Sequence, residues 1–412
     1  MSEAVIVSAV RSPIGRAFKG SLKDERPDDL AAAMVTAALD KIPSFDPHGG
    51  DGRGLDDVYL GCAEPSGEAG SNMARVVTIL AGLDGVPGAT INRFCASSLQ
   101  TIRMAFHAIR AGEGDAFVAA GVEAVSRYPN WAGAGETDAG THNPLFEAAR
   151  RRTEARAASN TPWTDPRLGG RMPDIYIAMG QTAENVATTY GISRAEQDAW
   201  AVLSQNRAEA AIASGFFARD ITPYTRRDGT VVERDDSPRA GVTLEAVAAL
   251  QPVFRSKGTV TAGNACPLND GAAAVVVMSD NRARELGLEP LARIVSTGVS
   301  ALSPELMGMG PVEATRVALK RARLGIRDID LVELNEAFAV QVVASARELG
   351  IDHAKLNVHG GAIALGHPFG MTGARMTTTL LNGLRERDAT LGLATLCVGG
   401  GQGMAIVFER LS

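Results

Sequence analysis

Short apolar runs alternate with amphipathic stretches along this chain, and that alternation restricts the possible folds more than any other feature. The runs AVIVSAV (residues 4–10), DVYLGC (57–62) and DAFVAAGVEAV (115–125) are typical of buried strands. DDLAAAMVTAALDKI (28–42) instead has the apolar spacing of a helix. Strands that alternate with helices predict stacked layers of helix and sheet. The expected fold class is therefore α/β.

A weak internal repeat adds a second restriction. The first half contains Cys95, a helical stretch, a charged turn and a strand-like run. The second half repeats this order with GHPFGMTGARMTTTLLNGLRER (366–387), a short turn and LGLATLCVGGGQGMAIVF (391–408). Two similar α/β halves packed together would direct both helix N-termini towards one central site.

The segment between the first strands and the repeat has a different texture. Residues 126–254 are richer in Arg, Trp, Pro and turn residues, and they contain two helical patterns, AMGQTAENVATTY and SRAEQDAWAVLSQNRAEAAIASG. We interpret this segment as an inserted, more exposed subdomain that lies over a site. Strand-like sequence returns at 259–280. Since 412 residues exceed one ordinary core, we predict an N-terminal half (1–125 and 255–280), the insertion, and a C-terminal half (281–412).

Charge and cysteine usage exclude several classes of protein. A formal net charge of −6 does not suit nucleic-acid binding. The N-terminus lacks the apolar core of a signal peptide, and no apolar run reaches the length of about 18 residues that a membrane span requires. The cysteines form no CxxC pair, so neither a zinc site nor a disulfide framework is expected. These features favour a cytoplasmic protein without nucleic-acid, membrane or metal partners.

Cys95 lies in INRFCASSLQ, where a strand hands over to a helix. A helix N-terminus stabilises a thiolate and lowers the pKa of the thiol below its usual value of about 8.5. The alternative is a small buried hydrophobic residue, which is the interpretation that we adopt for Cys62. Position alone therefore leaves the reactivity of Cys95 open.

A nucleophilic cysteine also needs a base, usually histidine. Of the six histidines, His367 is the best placed, because it lies in GGAIALGHPFGMTGAR on a turn bounded by Gly366 and Pro368. The glycines around it would let a substrate approach the backbone closely. The alternative is a glycine-rich packing turn that happens to contain a histidine, and the spacing does not exclude it.

Two further segments carry candidate chemistry. Cys397 lies in LCVGGGQGM, where backbone N–H groups at a strand end could form an oxyanion hole; alternatively, Cys397 is a buried thiol. Asn335 in LVELNEAFAVQ follows a strand and could hold a water molecule. Its alternative role is that of a helix N-cap, which is common for Asn.

Taken in order, these motifs resemble the thiolase family. The resemblance covers nearly the whole chain through VIVSAVRSPIG, NRFCASSLQ, GQTAENVA, TVTAGNACPLNDGAAA, NEAFA, GGAIALGHPFGMTGAR and CVGGGQGMA. It implies a five-layered αβαβα fold of two similar halves with an inserted loop domain that holds coenzyme A. It further implies acyl-CoA and CoA as substrates, no permanently bound cofactor, no metal, and assembly as a homodimer or homotetramer.

The resemblance also implies catalytic roles. Cys95 would take the acyl group from a thioester while His367 accepts its proton. Cys397 would remove the α-proton of acetyl-CoA in condensation and return it in thiolysis. His367 and a water on Asn335 would stabilise the enolate oxygen, and the N–H groups of Cys95 and Gly399 would form a second oxyanion hole.

Five further positions are implied as coenzyme contacts. Met179 and Phe338 would line the acyl and pantetheine region, Ala262 and Cys266 would touch the pantetheine arm, and Phe254 would lie near the coenzyme pocket.

The chain departs from the family pattern at several places. Cys266 replaces a common Ser, Ala178 replaces the His of many short-chain members, and His359 replaces a usual Asn. The insertion between about 131 and 173 is also longer than expected for short-chain members.

The activity implied first is that of an acetyl-CoA C-acetyltransferase, because Met179 and GHPFGMTGAR favour short chains. The long insertion favours the alternative, a 3-ketoacyl-CoA thiolase of broader chain length in fatty-acid or sterol side-chain β-oxidation. A non-catalytic CoA- or lipid-binding scaffold is the third reading, and the presence of all four catalytic side chains counts against it.

Overall fold

The computed structural model describes residues 2–50, 52–128, 142–159 and 161–412. Part of the insertion that the sequence singled out, residues 131–141 and 160, lies outside the described residues. The strands are β1 (Ala4–Arg11), β2 (Gly15–Arg16), β3 (Asp57–Gly61), β4 (Gly88–Ile91), β5 (Ala116–Ala124), β6 (Tyr224–Thr225), β7 (Val231–Val232), β8 (Asn269–Ser279), β9 (Ala292–Ala301), β10 (Leu331–Leu334), β11 (Leu391–Val398) and β12 (Gln402–Arg410).

The helices alternate with these strands for most of the chain. They are α1 (Pro27–Asp40), α2 (Met73–Leu80), α3 (Ser97–Ala111), α4 (Glu147–Ser159), α5 (Met179–Tyr190), α6 (Arg194–Ala213), α7 (Phe217–Asp220), α8 (Leu244–Ala248), α9 (Asp280–Glu285), α10 (Gly310–Ala322), α11 (Ala339–Leu349), α12 (Ala362–Leu365) and α13 (Thr372–Glu386). None of the helices in the described part of the chain is long and apolar enough to cross a membrane.

One mixed sheet runs through the molecule in the order β10-β11-β12-β9-β1-β8-β5-β3-β4, with β2 paired to β8. Strands β3, β4 and β5 pair in parallel, as do β10 and β11, whereas β1, β8, β9 and β12 pair antiparallel. The join between β1 and β9 consists of only Val5 opposite Arg293 and Ile6 opposite Ala292. This short join divides the sheet into an N-terminal and a C-terminal half.

Three apolar clusters separate five layers, as the sequence predicted. Helices α1 and α2 cover the outer face of the N-terminal half, for example through Leu30. Helices α3 and α13 lie between the two halves, where Leu99 and Leu380 share one cluster. Helices α10 and α11 cover the C-terminal half, for example through Val312. Alternate residues of β1 enter different clusters because side chains of a strand point to opposite faces.

Glycines let the two central helices approach their neighbours closely. A Cβ at Gly373 of α13 would lie 2.2 Å from the backbone nitrogen of Leu99 in α3. A Cβ at Gly61 of β3 would lie 2.5 Å from the backbone of Ser97. Because no side chain fits at these contacts, the N-terminal ends of α3 and α13 are held together in the middle of the molecule.

One expectation from the sequence is wrong in detail. The strand-like run at 259–280 forms a strand only from Asn269, because the amide of Asn264 closes a turn by accepting from Thr261 N (2.8 Å) and donating to Thr259 O (3.0 Å). Helices α5 and α6 of the insertion each bury one face, since Val186 and Trp200 lie in the same cluster as α10 and α11, whereas the opposite face of α6 is exposed, for example at Ile212.

Candidate active site

Cys95 lies in a single 3₁₀ turn, Phe94–Ala96, immediately before α3. Ser97 fixes this turn, because its hydroxyl accepts from Arg93 N (2.9 Å) and donates to Phe94 O (2.6 Å). Phe94 has a φ of +42°, a left-handed conformation that is strained for a bulky residue and that is often found at functional sites. The backbone N–H groups of Cys95 and Gly399 face the sulfur of Cys95 and favour its negative charge.

The pKa of Cys95 is not lowered, contrary to the expectation from its place before a helix. Burial of the thiol raises its pKa to about 12, and the N–H groups of Gly399 and Cys95 only partly oppose this effect. Desolvation therefore outweighs the helix N-terminus. Cys95 is a thiol at rest and needs a partner that takes its proton when it reacts.

We therefore expect alkylation of Cys95 by iodoacetamide to accelerate steadily with pH. Only the thiolate reacts, so the rate should rise about tenfold per pH unit from about pH 6 to pH 9 without a plateau. The measurement is the mass of the Cys95 peptide after timed exposure. A plateau below about pH 8 would instead show a low pKa of the kind that the sequence suggested.

The ring of His367 is held in one tautomer by its neighbours. Its Nδ1 lies 2.6 Å from the Thr372 hydroxyl, which donates its own hydrogen to Pro368 O at 2.8 Å. Thr372 must therefore accept from Nδ1–H, so Nε2 carries the lone pair and accepts from Asn335 Nδ2 at 3.2 Å. The backbone N–H of His367 donates to Asn269 Oδ1 at 3.0 Å.

His367 is neutral at ordinary pH. The side chain is 1% exposed, and its burial, together with the nearby charge of Arg375, lowers its pKa to about 3. The unprotonated Nε2 can therefore accept a proton only when the reaction supplies a compensating negative charge.

Asn335 follows β10 directly and is buried beside His367. The alternative role as a helix N-cap is wrong, because the N-cap of α11 is Phe338. Its Nδ2 donates to His367, while no group in the described part of the chain donates to its buried Oδ1. A buried amide oxygen of this kind is suited to binding a polar ligand or water.

Cys397 lies at the end of β11 and is fully buried. Its S–H donates to Gln341 Oε1 at 3.0 Å, and Gln341 Nε2 donates to Asn335 O at 3.0 Å. Burial raises the pKa of Cys397 well above its usual value, and Cys95 and Cys266 raise it further. The structure thus brings Cys95, Cys397 and Cys266 close enough for the charge of one thiolate to affect the pKa of another.

Gly399 belongs to the glycine turn between β11 and β12. Gly400 and Gly401 have φ values of +76° and +78°, which glycine adopts without strain. A Cβ at Gly399 would lie 3.2 Å from the ring of Phe94, and one at Gly400 would lie 3.5 Å from Ile175 Cδ1. Apolar side chains therefore flank the backbone that faces Cys95.

The predicted coenzyme contacts fall into two adjoining groups. The rings of Phe254 and Phe338 meet edge to face at 6.2 Å, and Met179 begins α5 and packs against the same cluster. Ala262 lines a neighbouring cavity of about 340 Å³, and Cys266 N donates to Ala337 O at 3.1 Å.

Two positively charged side chains line the cavity beside Ala262. Arg16 and Arg239 line it together with Ala265 and Pro267. Neither guanidinium has a carboxylate partner among the described residues. The described residues also contain no group of three or more His, Cys, Asp or Glu side chains that could hold a metal ion.

Sequence reasoning missed three side chains that hold the candidate residues. Gln341, Thr372 and Asn269 lie within the quoted motifs, but no spacing rule singles them out. Neither Ala178 nor His359 takes part in these contacts. His359 pairs with Glu386 at 2.7 Å and stacks on Phe216, away from His367.

Comparison with known proteins gives a consistent result over the whole chain. The family model "Thiolase, N-terminal domain" matches residues 4–281, and "Thiolase, C-terminal domain" matches residues 288–410. The chain is 44% identical to the β-ketoadipyl-CoA thiolase of Pseudomonas aeruginosa (99% of each chain) and 44% identical to the acetyl-CoA acetyltransferase of Escherichia coli (100% of each chain). It is 42% identical to the 3-ketoacyl-CoA thiolase of Bacillus subtilis, over 99% of this chain and 100% of the relative.

Comparison with solved structures points to the same family. The crystal structure of the Bacillus anthracis acetyl-CoA acetyltransferase matches with a TM-score of 0.85 and 40% identity, over 100% of this chain and 99% of that one. Human mitochondrial 3-ketoacyl-CoA thiolase matches with a TM-score of 0.85 and 36% identity, over the same shares of the two chains. The chain therefore belongs to the thiolase family, whose members are acyltransferases that use coenzyme A as a substrate.

Proposed function

We propose that this thiolase is an acetyl-CoA C-acetyltransferase, which interconverts two acetyl-CoA with acetoacetyl-CoA and CoA. The observation that carries the proposal is that Phe94 and Ile175 lie beside Gly399 and Gly400, so that bulky apolar side chains border the backbone that faces Cys95. Bulky side chains at this position would accommodate an acetyl group better than a long acyl chain. The relatives from E. coli and B. anthracis with this name support the same assignment.

In thiolysis, the Cys95 sulfur attacks the 3-keto carbonyl of acetoacetyl-CoA and its proton passes to His367 Nε2. The negative charge on the carbonyl oxygen would be stabilised by the N–H groups of Cys95 and Gly399. The carbon–carbon bond then breaks, leaving acetyl-Cys95 and the enolate of acetyl-CoA.

The enolate then receives a proton from Cys397, whose raised pKa keeps it in the acid form. The enolate oxygen would be stabilised by His367 and by a water on Asn335. CoA then transfers its thiol proton to Cys397 and attacks acetyl-Cys95, and the departing Cys95 sulfur recovers its proton from His367. The side chains end as they began, and condensation is the reverse sequence.

Coenzyme A would lie along the cavity that Ala262 lines. Arg16 and Arg239 offer guanidinium groups for its phosphates, since neither has a carboxylate partner among the residues that the structure describes. Met179, Phe254 and Phe338 would contact the pantetheine arm. Cys266, in place of the usual Ser, would make a weaker hydrogen bond to that arm.

The second candidate is a 3-ketoacyl-CoA thiolase of broader chain length. Relatives named β-ketoadipyl-CoA thiolase and 3-ketoacyl-CoA thiolase are as similar to this chain as the acetyltransferase from E. coli. Ala178 also leaves more room than the His that the resemblance leads us to expect.

The two candidates are separated by CoA-dependent thiolysis of a series of 3-ketoacyl-CoA substrates. We expect kcat/KM for acetoacetyl-CoA to exceed that for 3-ketohexanoyl-CoA and longer substrates by at least about tenfold, since extra methylenes must fit against Phe94 and Ile175. β-Ketoadipyl-CoA belongs in the series as a charged substrate. A flat or rising profile would support the broader thiolase, and no turnover at all would support the scaffold.

Assembly as a homodimer or homotetramer and a cytoplasmic location stay predictions, to be checked by sedimentation and by cell fractionation. A reducing compartment suits the proposed chemistry, because both Cys95 and Cys397 must be thiols.

A further inference from the structure

Glu123 is a buried carboxylate that contacts loops from both halves of the molecule. It lies on β5 and is 1% exposed. Its Oε2 accepts from Ala63 N and from Gly370 N, both at 2.8 Å. Its Oε1 accepts from Tyr128 Oη at 2.7 Å, from Glu64 N at 3.2 Å and from Cys62 Sγ at 3.6 Å. All five partners are donors, and they oppose only in part the rise in the pKa of Glu123 that its burial causes.

One arm of this contact leads to His367. Gly370 belongs to the turn between His367 and α13, in which Met371 N donates to Pro368 O at 3.1 Å. The same Pro368 carbonyl accepts from Thr372, the residue that orients the His367 ring. A Cβ at Gly370 would lie 2.3 Å from Val122 O, so the turn is pressed against β5 beside Glu123.

The other arm leads to Cys95. Ala63, which donates to Glu123, accepts through its carbonyl from Asn92 Nδ2 at 3.0 Å. Asn92 Oδ1 in turn accepts from Phe94 N at 2.8 Å. Phe94 is the first residue of the turn that carries Cys95. The path from Glu123 to each reactive side chain therefore runs through hydrogen bonds to a short turn.

We propose that Glu123 is a positioning residue that sets the distance between the Cys95 sulfur and the His367 ring by binding both loops at once. This inference rests on the proposed function, because it assumes proton transfer between these two side chains. A displacement of about 1 Å can cost about 100-fold in rate, so a small relaxation of either loop is measurable.

The length of the side chain is the property that matters in this arrangement. Glu123→Asp withdraws the carboxylate by one methylene, so it can hold one loop but not both. Glu123→Gln keeps the length. Its amide oxygen can still accept from Ala63 and Gly370, and its NH₂ group can donate to Tyr128 Oη and Cys62 Sγ, so that only the bond from Glu64 N is lost.

The test compares acyl transfer with alkylation of Cys95. Acyl transfer needs Cys95 and His367 together, whereas iodoacetamide needs only Cys95. For Glu123→Asp we expect kcat of thiolysis to fall about 10- to 100-fold, with KM for CoA within about twofold and the alkylation rate within about threefold of wild type. Glu123→Gln should lose about fivefold or less.

The matched control is Glu25→Asp. Glu25 is also a buried carboxylate, but its side-chain partners in the described part of the chain, Tyr224 Oη at 3.0 Å and Arg226 Nε at 3.2 Å, belong to neither catalytic loop. It should lose stability without losing kcat. The proposal is overturned if Glu123→Asp keeps kcat within about twofold of Glu25→Asp, or if Glu123→Gln loses as much as Glu123→Asp.

A second variant decides the matter if Glu123→Asp does not fold. Asn92→Asp keeps the acceptor for Phe94 N but removes the donor to Ala63, and we expect this variant to fold because Asn92 is exposed. We expect about a tenfold loss of kcat, and an unchanged kcat would reject the proposal. If wild type forms no acyl-enzyme, the proposed function itself fails; if wild type and all Glu123 variants acylate equally, only this inference fails.

Discussion

Cys95→Ala is expected to abolish the acyl-enzyme and to reduce thiolysis on the order of 10⁶-fold, the loss seen when a catalytic nucleophile is removed. The reason is that no other thiol occupies the turn where the N–H groups of Cys95 and Gly399 converge on one sulfur. Mass spectrometry after incubation with acetyl-CoA should show an acetyl group on the Cys95 peptide in wild type and none in the variant.

The control for this result is binding of CoA by the same variant. Alanine removes only the sulfur, so the cavity lined by Ala262, Arg16 and Arg239 should bind CoA with unchanged affinity in calorimetry. Acetylation of Cys397 or Cys266 in Cys95→Ala, with turnover retained, would contradict the assignment of the nucleophile.

Cys397→Ala is expected to separate the two half-reactions. The acetyl group should still load onto Cys95, because His367 and the backbone donors are untouched, while condensation to acetoacetyl-CoA falls by about 10²–10⁴-fold. The loss follows from the position of the thiol, which donates to Gln341 Oε1 at 3.0 Å while Gln341 Nε2 donates to Asn335 O. The measurement pairs acetyl-Cys95 mass with the rate of acetoacetyl-CoA formation.

A second outcome would assign the α-proton to another base. If Cys397→Ala condenses acetyl-CoA at the wild-type rate, its role is wrong. If acylation is lost together with condensation, the thiol supports the first half-reaction instead. Exchange of the α-hydrogens of acetyl-CoA with deuterated solvent gives an independent readout, since only removal of that proton is measured.

The fold was predictable where the pattern is local. Buried strands such as β1 and β5 and the helix α1 follow directly from apolar spacing, and their bounds agree to within about two residues, as is usual at helix ends. The run at 259–268 misled because Asn264 closes a turn that the spacing does not reveal, and of its apolar residues only Val260 is buried.

The candidate site was predictable only as a set of motifs. The motifs identified Cys95, His367, Cys397 and Asn335, but the helix N-terminus gave the wrong direction for the pKa of Cys95, because burial is a property of the whole fold. The residues that orient the reactive groups, among them Thr372, do so through contacts in the folded chain. The spacing of residues in the sequence does not predict these contacts.

The narrow join between β1 and β9 has a consequence for how the molecule can be divided. Only two residue pairs link the half-sheets there, yet the cluster around α3 and α13 takes side chains from both halves, from Ile6 of β1 to Phe408 of β12. An independent folding unit must own its core, and neither half owns this one. Cutting the chain between β8 and β9 would leave two fragments that each expose half of a shared interior. The two halves therefore repeat one sequence pattern, but they are expected to fold and unfold together as a single cooperative unit.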